Sequence, residues 1–179
     1  MESKAKLFGH AIHPILIVFP LGLLTTGVIF DIVFLVGGNP VMAAVAYWMI
    51  VAGIIGGLLA APFGWIDWFA IPSNTRAKSV GLLHGVGNMI VVLLFVGSWA
   101  FRTYSAEGLP GAIPYLFSFS ALALAAVTGW LGGELVERLG VGVDDGANLN
   151  APSSLKTESA AKMSAPPKNK TAASPFSLN

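Results

Sequence analysis

The sequence predicts an all-α integral membrane protein, a bundle of four transmembrane helices followed by a disordered C-terminal tail. Hydrophobic residues make up 55% of the chain and charged residues only 11%, and the mean hydropathy is +0.74, far from the balance of soluble domains. The apolar residues also fall into four long blocks. Each block reaches the ~20 residues that a helix needs to cross ~30 Å of hydrocarbon.

The four blocks define the predicted spans, at about 14–36, 41–66, 79–101 and 113–136. The first block has no charge before Asp31, the second has no ionisable side chain, and the third contains only His84. The fourth block ends in the charged stretch that starts at Glu134. Gly37-Gly38-Asn39-Pro40 is typical of a turn. Because the connections are short, consecutive spans are expected to form antiparallel hairpins.

Positive residues near the span ends predict that both termini are cytoplasmic, because such residues in short loops resist translocation. With four spans, the side that holds both termini carries five of them, and the other side carries only Arg102. The five are Lys4, Lys6, Arg76, Lys78 and Arg138. A signal peptide is the alternative interpretation of the N-terminus. The first apolar run is longer than a signal peptide requires, and three more spans follow.

The chain changes character after the predicted membrane domain of residues 1–143. Asp144-Asp145 is followed by a stretch rich in Pro, Ser, Ala and Asn with scattered Lys. Such a stretch has too little apolar surface to fold alone. Residues 144–179 are therefore predicted to be a disordered cytoplasmic tail.

Pairs of small residues predict close helix packing on the last three spans, because helices in lipid associate where small side chains let the backbones approach. The pairs are Gly53-xxx-Gly57, Gly81-xxx-Gly85 and Gly129-xxx-Gly133. The glycines beside His84, which are Gly81, Gly85 and Gly87, have a second interpretation as a slot for a flat cofactor.

Composition also excludes several kinds of site. The chain has no Cys, which excludes disulfides, thiolate zinc sites, iron–sulfur ligation and covalent haem attachment. The net charge is +1, and its Lys and Arg do not interleave with aromatics on a soluble face, so nucleic acid is not an expected partner. Motifs of the H-E-x-x-H or G-x-S-x-G type are absent, and the protein is not expected to be an enzyme by itself.

Six polar residues are predicted to gather at the cytoplasmic end of the bundle, where ionisable groups at membrane depth indicate a functional site. They are His10, His13, Asp67, His84, Asn88 and Glu134. Pro14 suits the first helical position, so His13 is the expected cap of the first span. His84 and Asn88 are four residues apart and share a helix face.

Four of these residues also have a purely structural interpretation, and for His10 it is that of a residue at the membrane interface. His84 can hydrogen-bond to a neighbouring helix, and Asp67 can pair with the cations of the loop that follows it. Glu134 and Arg138 have the spacing of an ion pair on a helix surface. At the opposite end of the bundle, Asp31 lies near a helix C-terminus, where a carboxylate is unfavourable. Arg102 is its expected partner in a structural charge pair.

The order of motifs resembles the small membrane domain catalogued as domain of unknown function 2231. The opening is carried by Gly9-His10-Ala11-Ile12-His13-Pro14, followed by Phe19-Pro20-Leu21-Gly22 and Asp31. Gly64-Trp65-Ile66-Asp67-Trp68 is similar to the end of that family's second span, and His84 with Asn88 to the polar pair of its third. Its closing motif is matched by Gly132-Gly133-Glu134-Leu135 and Gly140-Val141-Gly142-Val143. The resemblance covers roughly residues 7–143.

This resemblance implies a four-span topology and a redox setting, because family members also occur fused to cytochrome c-like or Rieske-type modules. The present chain contains no such module, so a redox partner is expected to be a separate chain. Expected partners besides the lipid bilayer are cytochrome, oxidase or other respiratory or photosynthetic subunits. The expected location is the bacterial cytoplasmic (inner) membrane or another energy-transducing membrane.

Chemistry and resemblance together lead to the hypothesis of a haem b-binding or redox-associated component of an electron-transfer chain. In it, His13 or His10 on the first span and His84 on the third bind one haem iron, with Asn88 beside His84. Phe19, Trp65 and Trp68 are expected to line the macrocycle.

Two alternatives remain open. In one, the protein is a non-catalytic subunit or assembly factor of a membrane complex, and the polar residues only connect the helices. In the other, His13, His84, Asp67 and Glu134 form a metal or proton-handling site. A pore or transporter is disfavoured, because the spans contain neither a pair of discontinuous helices nor a polar path.

Overall fold

The computed structural model describes residues 1–103 and 110–155. Its helices are α1 (Ile12–Gly37), α2 (Pro40–Ala70), α3 (Arg76–Thr103) and α4 (Ala112–Gly133), which continues into a π-helical turn at Glu134–Arg138. All four are long and apolar enough to cross a membrane. The prediction of an all-α, four-span membrane protein is thereby confirmed.

The helices extend beyond the predicted spans, because backbone hydrogen bonding continues where the apolar sequence ends. One prediction at these boundaries is wrong: α1 begins at Ile12 with Ala11 as its N-cap, so His13 is not the cap. Pro14 lies inside the first turn, where its missing N–H costs nothing because those donors have no partner within the helix. The amide of Ile12 instead donates to the carbonyl of Ala5 at 2.9 Å.

The predicted turn between α1 and α2 is present. Gly38 ends α1 at φ 69°, a left-handed conformation that glycine adopts without strain. Asn39 caps α2, since its side-chain oxygen accepts from the amide of Val41 at 3.0 Å. Pro40 takes the first helical position. This tight link makes α1 and α2 an antiparallel hairpin.

The four helices form two such hairpins, α1 with α2 and α3 with α4, which meet around a central apolar cluster. Its members are Leu24, Val28, Ile50, Ile54, Val91, Phe95 and Ala121. A Cβ at Gly53 would lie 2.6 Å from the side chain of Leu24, so this glycine lets α1 and α2 approach closely. At Gly129 and Gly133, in contrast, a Cβ would meet no described atom within 4 Å. The close packing predicted for that pair is therefore not observed.

We name the two ends of the bundle by their polar residues. The histidine end is where α1 and α3 begin, and the ion-pair end is where they finish. A short antiparallel pair of strands, β1 (Lys6–Leu7) and β2 (His10–Ala11), precedes α1 at the histidine end.

Residues after α4 pack against this N-terminal segment. Lys6 pairs with Glu2 at 2.6 Å and with Asp144 at 3.4 Å. The bond from Glu2 raises the pKa of Lys6, and the amide of Gly146 lowers the pKa of Asp144. The tail was predicted to begin at residue 144, but residues 144–155 form turns and contact the N-terminal segment. Residues 156–179 of that prediction lie outside the described residues.

Candidate functional site: a histidine pair between two hairpins

His13 of α1 and His84 of α3 meet at the histidine end. Their ring centroids are 6.4 Å apart, and their planes are inclined at 88°. Both side chains are half-buried. The structure thus brings together two of the three histidines, one from each hairpin, at the same end of the bundle.

Each of these rings is anchored in the same way to the second helix of its own hairpin. Nδ1 of His13 lies 3.1 Å from the carbonyl oxygen of Ala60, and Nδ1 of His84 lies 2.9 Å from that of Thr128. A carbonyl oxygen can only accept, so Nδ1 carries the hydrogen in both rings. Nε2 is then the basic nitrogen of both neutral imidazoles, which is the usual arrangement of a metal-binding histidine.

A glycine seats each ring against the backbone of the neighbouring helix. A Cβ at Gly64 would lie 2.9 Å from Cε1 of His13, and a Cβ at Gly132 would lie 3.0 Å from Cε1 of His84. Real Cβ atoms essentially never show a contact under 3.0 Å, and a contact of 3.0 Å is tighter than nine in ten of them. The two glycines therefore provide the space that the rings occupy.

His84 is held by additional hydrogen bonds that His13 lacks. Thr128 donates from its hydroxyl to Oδ1 of Asn88 at 3.0 Å, and Nδ2 of Asn88 donates to the backbone carbonyl of His84 at 2.9 Å. Nδ2 is also 3.2 Å and 3.4 Å from the two ring nitrogens of His84. Asn88 thus connects α3 to α4, and its amide lies within hydrogen-bonding distance of Nε2 of His84.

The two carboxylates predicted at this end have partners outside the histidine pair. Asp67 accepts from the hydroxyl of Ser3 at 2.8 Å and from the amide of Lys4 at 2.7 Å. Glu134 pairs with Arg76 at 2.6 Å, and not with Arg138, because the π-helical turn changes the angular spacing along the helix.

The four residues predicted as metal ligands do not form one group in the structure. In residues 1–103 and 110–155, no three His, Cys, Asp or Glu side chains lie close enough to hold a metal ion. His10 is separate as well. It is exposed, and its Nε2 lies 3.2 Å from the hydroxyl of Ser154.

The slot predicted beside His84 is filled by side chains. A Cβ at Gly81 would lie 2.8 Å from the Trp68 ring, and one at Gly85 would lie 3.4 Å from the Trp65 ring. At Gly87, a Cβ would lie 2.5 Å from the methyl group of Thr128. These glycines serve helix packing. Phe19, another expected lining residue, is 57% exposed.

A family model described as a predicted membrane protein, DUF2231, matches residues 9–145. The chain belongs to this family. The match spans all four helices and both histidines of the pair, in agreement with the resemblance seen in the motifs. Comparison with curated proteins and with solved structures gave no match.

At the ion-pair end, this DUF2231 domain buries a second polar cluster. Arg102 donates from its two terminal nitrogens to the two carboxylate oxygens of Asp31, at 2.7 Å and 2.5 Å. The side chains are 3% and 0% exposed, respectively. The hydroxyl of Ser118 lies 3.3 Å from Asp31, and Nε of Arg102 lies 3.3 Å from the hydroxyl of Ser98. The central apolar cluster separates this ion pair from the histidines.

Several residues that build these two clusters were not found by sequence analysis. Ala60 and Thr128 act through backbone carbonyls, which every residue has, so no side-chain signal identifies them. Gly64 and Gly132 stood within quoted motifs but had no assigned role. Ser98 had a usable signal in this DUF2231 chain, since it lies four residues before Arg102 and therefore shares its helix face.

Asp67 is expected to hold the N-terminal segment against the end of α2. Replacing it with alanine removes the acceptor for the hydroxyl of Ser3 and the amide of Lys4, so hydrogen exchange should accelerate throughout residues 1–11. Peptide-resolved exchange in detergent measures this effect. Glu137→Ala, at an exposed carboxylate, is the control, and equal exchange in both variants would contradict the assignment.

Proposed function

We propose that His13 and His84 would hold one haem b, and that the protein is a membrane component of an electron-transfer chain. The separation of their ring centroids, 6.4 Å, carries the proposal. Two imidazoles bound to opposite sides of one metal atom through nitrogen bonds of about 2.0 Å would have ring centroids about 6 Å apart. The observed pair has this spacing.

The donor set also suits haem better than a bare metal ion. Structural zinc takes four protein ligands, whereas a haem iron needs only axial ligands, since the macrocycle supplies the other donors. Two neutral imidazoles are sufficient for it. Asp67 and Glu134 are already bonded to Ser3 and Arg76, so neither needs to be recruited.

The chain's own residues prepare both imidazoles for this role. The carbonyls of Ala60 and Thr128 fix the tautomer, which leaves Nε2 of each ring as the nitrogen that can bind a metal. Gly64 and Gly132 fix the ring positions. When bound, haem supplies one-electron redox chemistry, and the apolar surroundings of a ligand pair influence its potential.

One observation favours a second candidate function. Trp65 and Trp68 fill the surface of α3 beside His84, which suits a site that only connects helices. In that case the protein is a non-catalytic subunit or assembly factor of a respiratory or photosynthetic complex. Co-purification of cytochrome or oxidase subunits with a colourless protein is its expected sign.

Visible spectra of the protein purified from haem-replete cells test the proposal. We expect a Soret band and a shift on dithionite reduction, both lost in His13→Ala and in His84→Ala. His10→Ala is the matched control and should retain the band, because this exposed histidine lies outside the pair. A colourless protein that shows no spectral change on haem titration would overturn the proposal.

Metal analysis of the same samples distinguishes the remaining alternative. Stoichiometric zinc or iron without a Soret band would point to a bare ion on the histidine pair.

We also propose that the histidine end is cytoplasmic, which the excess of Lys and Arg at that end supports. Labelling of an Asn74→Cys variant, at an exposed position in this Cys-free chain, with membrane-impermeant maleimide tests the orientation: labelling in spheroplasts would contradict it.

A further inference from the structure

The two hairpins carry corresponding residues at corresponding positions. In α1, Asp31 follows His13 by 18 residues, and in α3, Arg102 follows His84 by 18 residues. Both pairs are thus related by the same shift of 71 positions along the chain. The residues that meet at the two ends of the bundle are therefore equivalents of one another.

The second helices show the same correspondence with a shift of 68 positions. Ala60 corresponds to Thr128, and each accepts a hydrogen bond from Nδ1 of its own hairpin's histidine. Gly64 corresponds to Gly132, and each seats the same ring.

A further contact is repeated near the ion-pair end. A Cβ at Gly27 would lie 3.4 Å from the carbonyl oxygen of Ala46. At the corresponding place in the other hairpin, the hydroxyl of Ser98 donates to the carbonyl of Pro114 at 2.8 Å. The hairpins thus share their internal packing as well as their polar residues.

Buried positions of α1 and α3 are also related by the shift of 71 positions. Five residues of α1 are buried, and four of them correspond to buried residues of α3, whereas the fifth, Val28, corresponds to the half-buried Trp99. The corresponding pairs are Pro20 and Val91, Leu24 and Phe95, Gly27 and Ser98, and Asp31 and Arg102. These pairs differ in residue type, so the correspondence lies in position and environment more than in sequence identity.

Equivalent residues can touch one another only near the axis that relates the two copies, as in an isologous interface. His13 touches His84 at one end, and Asp31 touches Arg102 at the other. Because α1 and α3 begin at the same end of the bundle, this axis runs along the membrane normal, as in parallel repeats.

We infer that the domain is a tandem repeat of one helical hairpin, in which the opposite charges of Asp31 and Arg102 make each hairpin pair with the other and not with a copy of itself. A hairpin pairing with its own copy would place two aspartates, or two arginines, together at a buried position on the axis. Buried like charges strongly disfavour association. The charge pair thus selects the partner of the interface between hairpins.

Charge exchange tests this inference and needs no cofactor. D31R and R102D each put like charges on the axis. For both variants, the peak of the folded monomer in detergent size-exclusion chromatography should be lost. The double variant D31R/R102D restores opposite charges and should recover most of it. The matched control is the ion pair between Arg76 and Glu134. In this pair the Arg76 side chain is 61% exposed. R76E and E134R should both remain folded. A double variant no more folded than the single variants would overturn the inference.

A second measurement separates partner selection from stability alone. D31L/R102L removes the charges without burying like ones, so hairpins of different chains should then pair with one another. The chain has no Cys, and L24C places one thiol in the central apolar cluster, near the axis. With added copper phenanthroline as the oxidant, we expect an intermolecular disulfide in L24C/D31L/R102L and none in L24C alone. Equal cross-linking in the two variants would contradict partner selection by charge.

Discussion

Replacing Arg102 with leucine is expected to lower the free energy of unfolding by about 3–5 kcal/mol, because the substitution leaves Asp31 buried without its counter-charge. Asp31 is 0% exposed, and both of its oxygens accept from the arginine. Among residues 1–103 and 110–155, the other donor to Asp31 is Ser118, which lies at 3.3 Å and cannot replace a bidentate cation. Reversible unfolding in mixed micelles measures the loss.

The double variant Asp31→Leu with Arg102→Leu is the control for this prediction. Removing both charges avoids an uncompensated one, and replacement of a buried ion pair by apolar side chains is often neutral or stabilising. Stability of the double variant should therefore exceed that of Arg102→Leu. If Arg102→Leu were as stable as the unaltered chain, the pair would contribute nothing to folding.

Alanine at Gly64 or Gly132 is expected to displace a histidine ring and to cost about 1–3 kcal/mol of folding stability, as overpacking of an interior does. The new Cβ would lie 2.9 Å from His13 or 3.0 Å from His84. On the proposed function, either variant also loses most of its haem. Unfolding in mixed micelles and the ratio of Soret to protein absorbance measure the two effects.

Gly129→Ala is the matched control on the same helix as Gly132. A Cβ there meets no described atom within 4 Å, and alanine is the better helix former by up to about 1 kcal/mol. This variant should therefore be as stable as the unaltered chain or slightly more stable. If Gly129→Ala and Gly132→Ala lost the same amount of folding stability, contact with the His84 ring would not be the cause of the loss.

Hydrophobic blocks and their charged ends were sufficient to predict the four helices. The turn at residues 37–40 was also predictable, because Gly, Asn and Pro have distinct backbone preferences. The start of α1 was not, because the position of a proline leaves several helix starts open. In the structure α1 begins at Ile12, whose amide donates a hydrogen bond to the carbonyl of Ala5.

The polar residues were found as a set, but their grouping could not be predicted. Asp67 and Glu134 lie at the same end as the histidines, yet each has a partner from a distant segment, Ser3 and Arg76. A linear sequence gives the depth of a residue in the membrane but not its direction around the helix axis relative to three neighbours. That direction separated the carboxylates from the histidine pair.

By itself, the sequence determined that this is a four-helix membrane protein with its few polar side chains at the two ends of the bundle, because hydrophobicity and helix length act locally. Only the tertiary structure decided which of those side chains meet. It brought His13 to His84 and Asp31 to Arg102, since such contacts depend on how two hairpins pack. The internal repeat likewise emerged only in three dimensions, where backbone carbonyls and glycines occupy equivalent places in both hairpins.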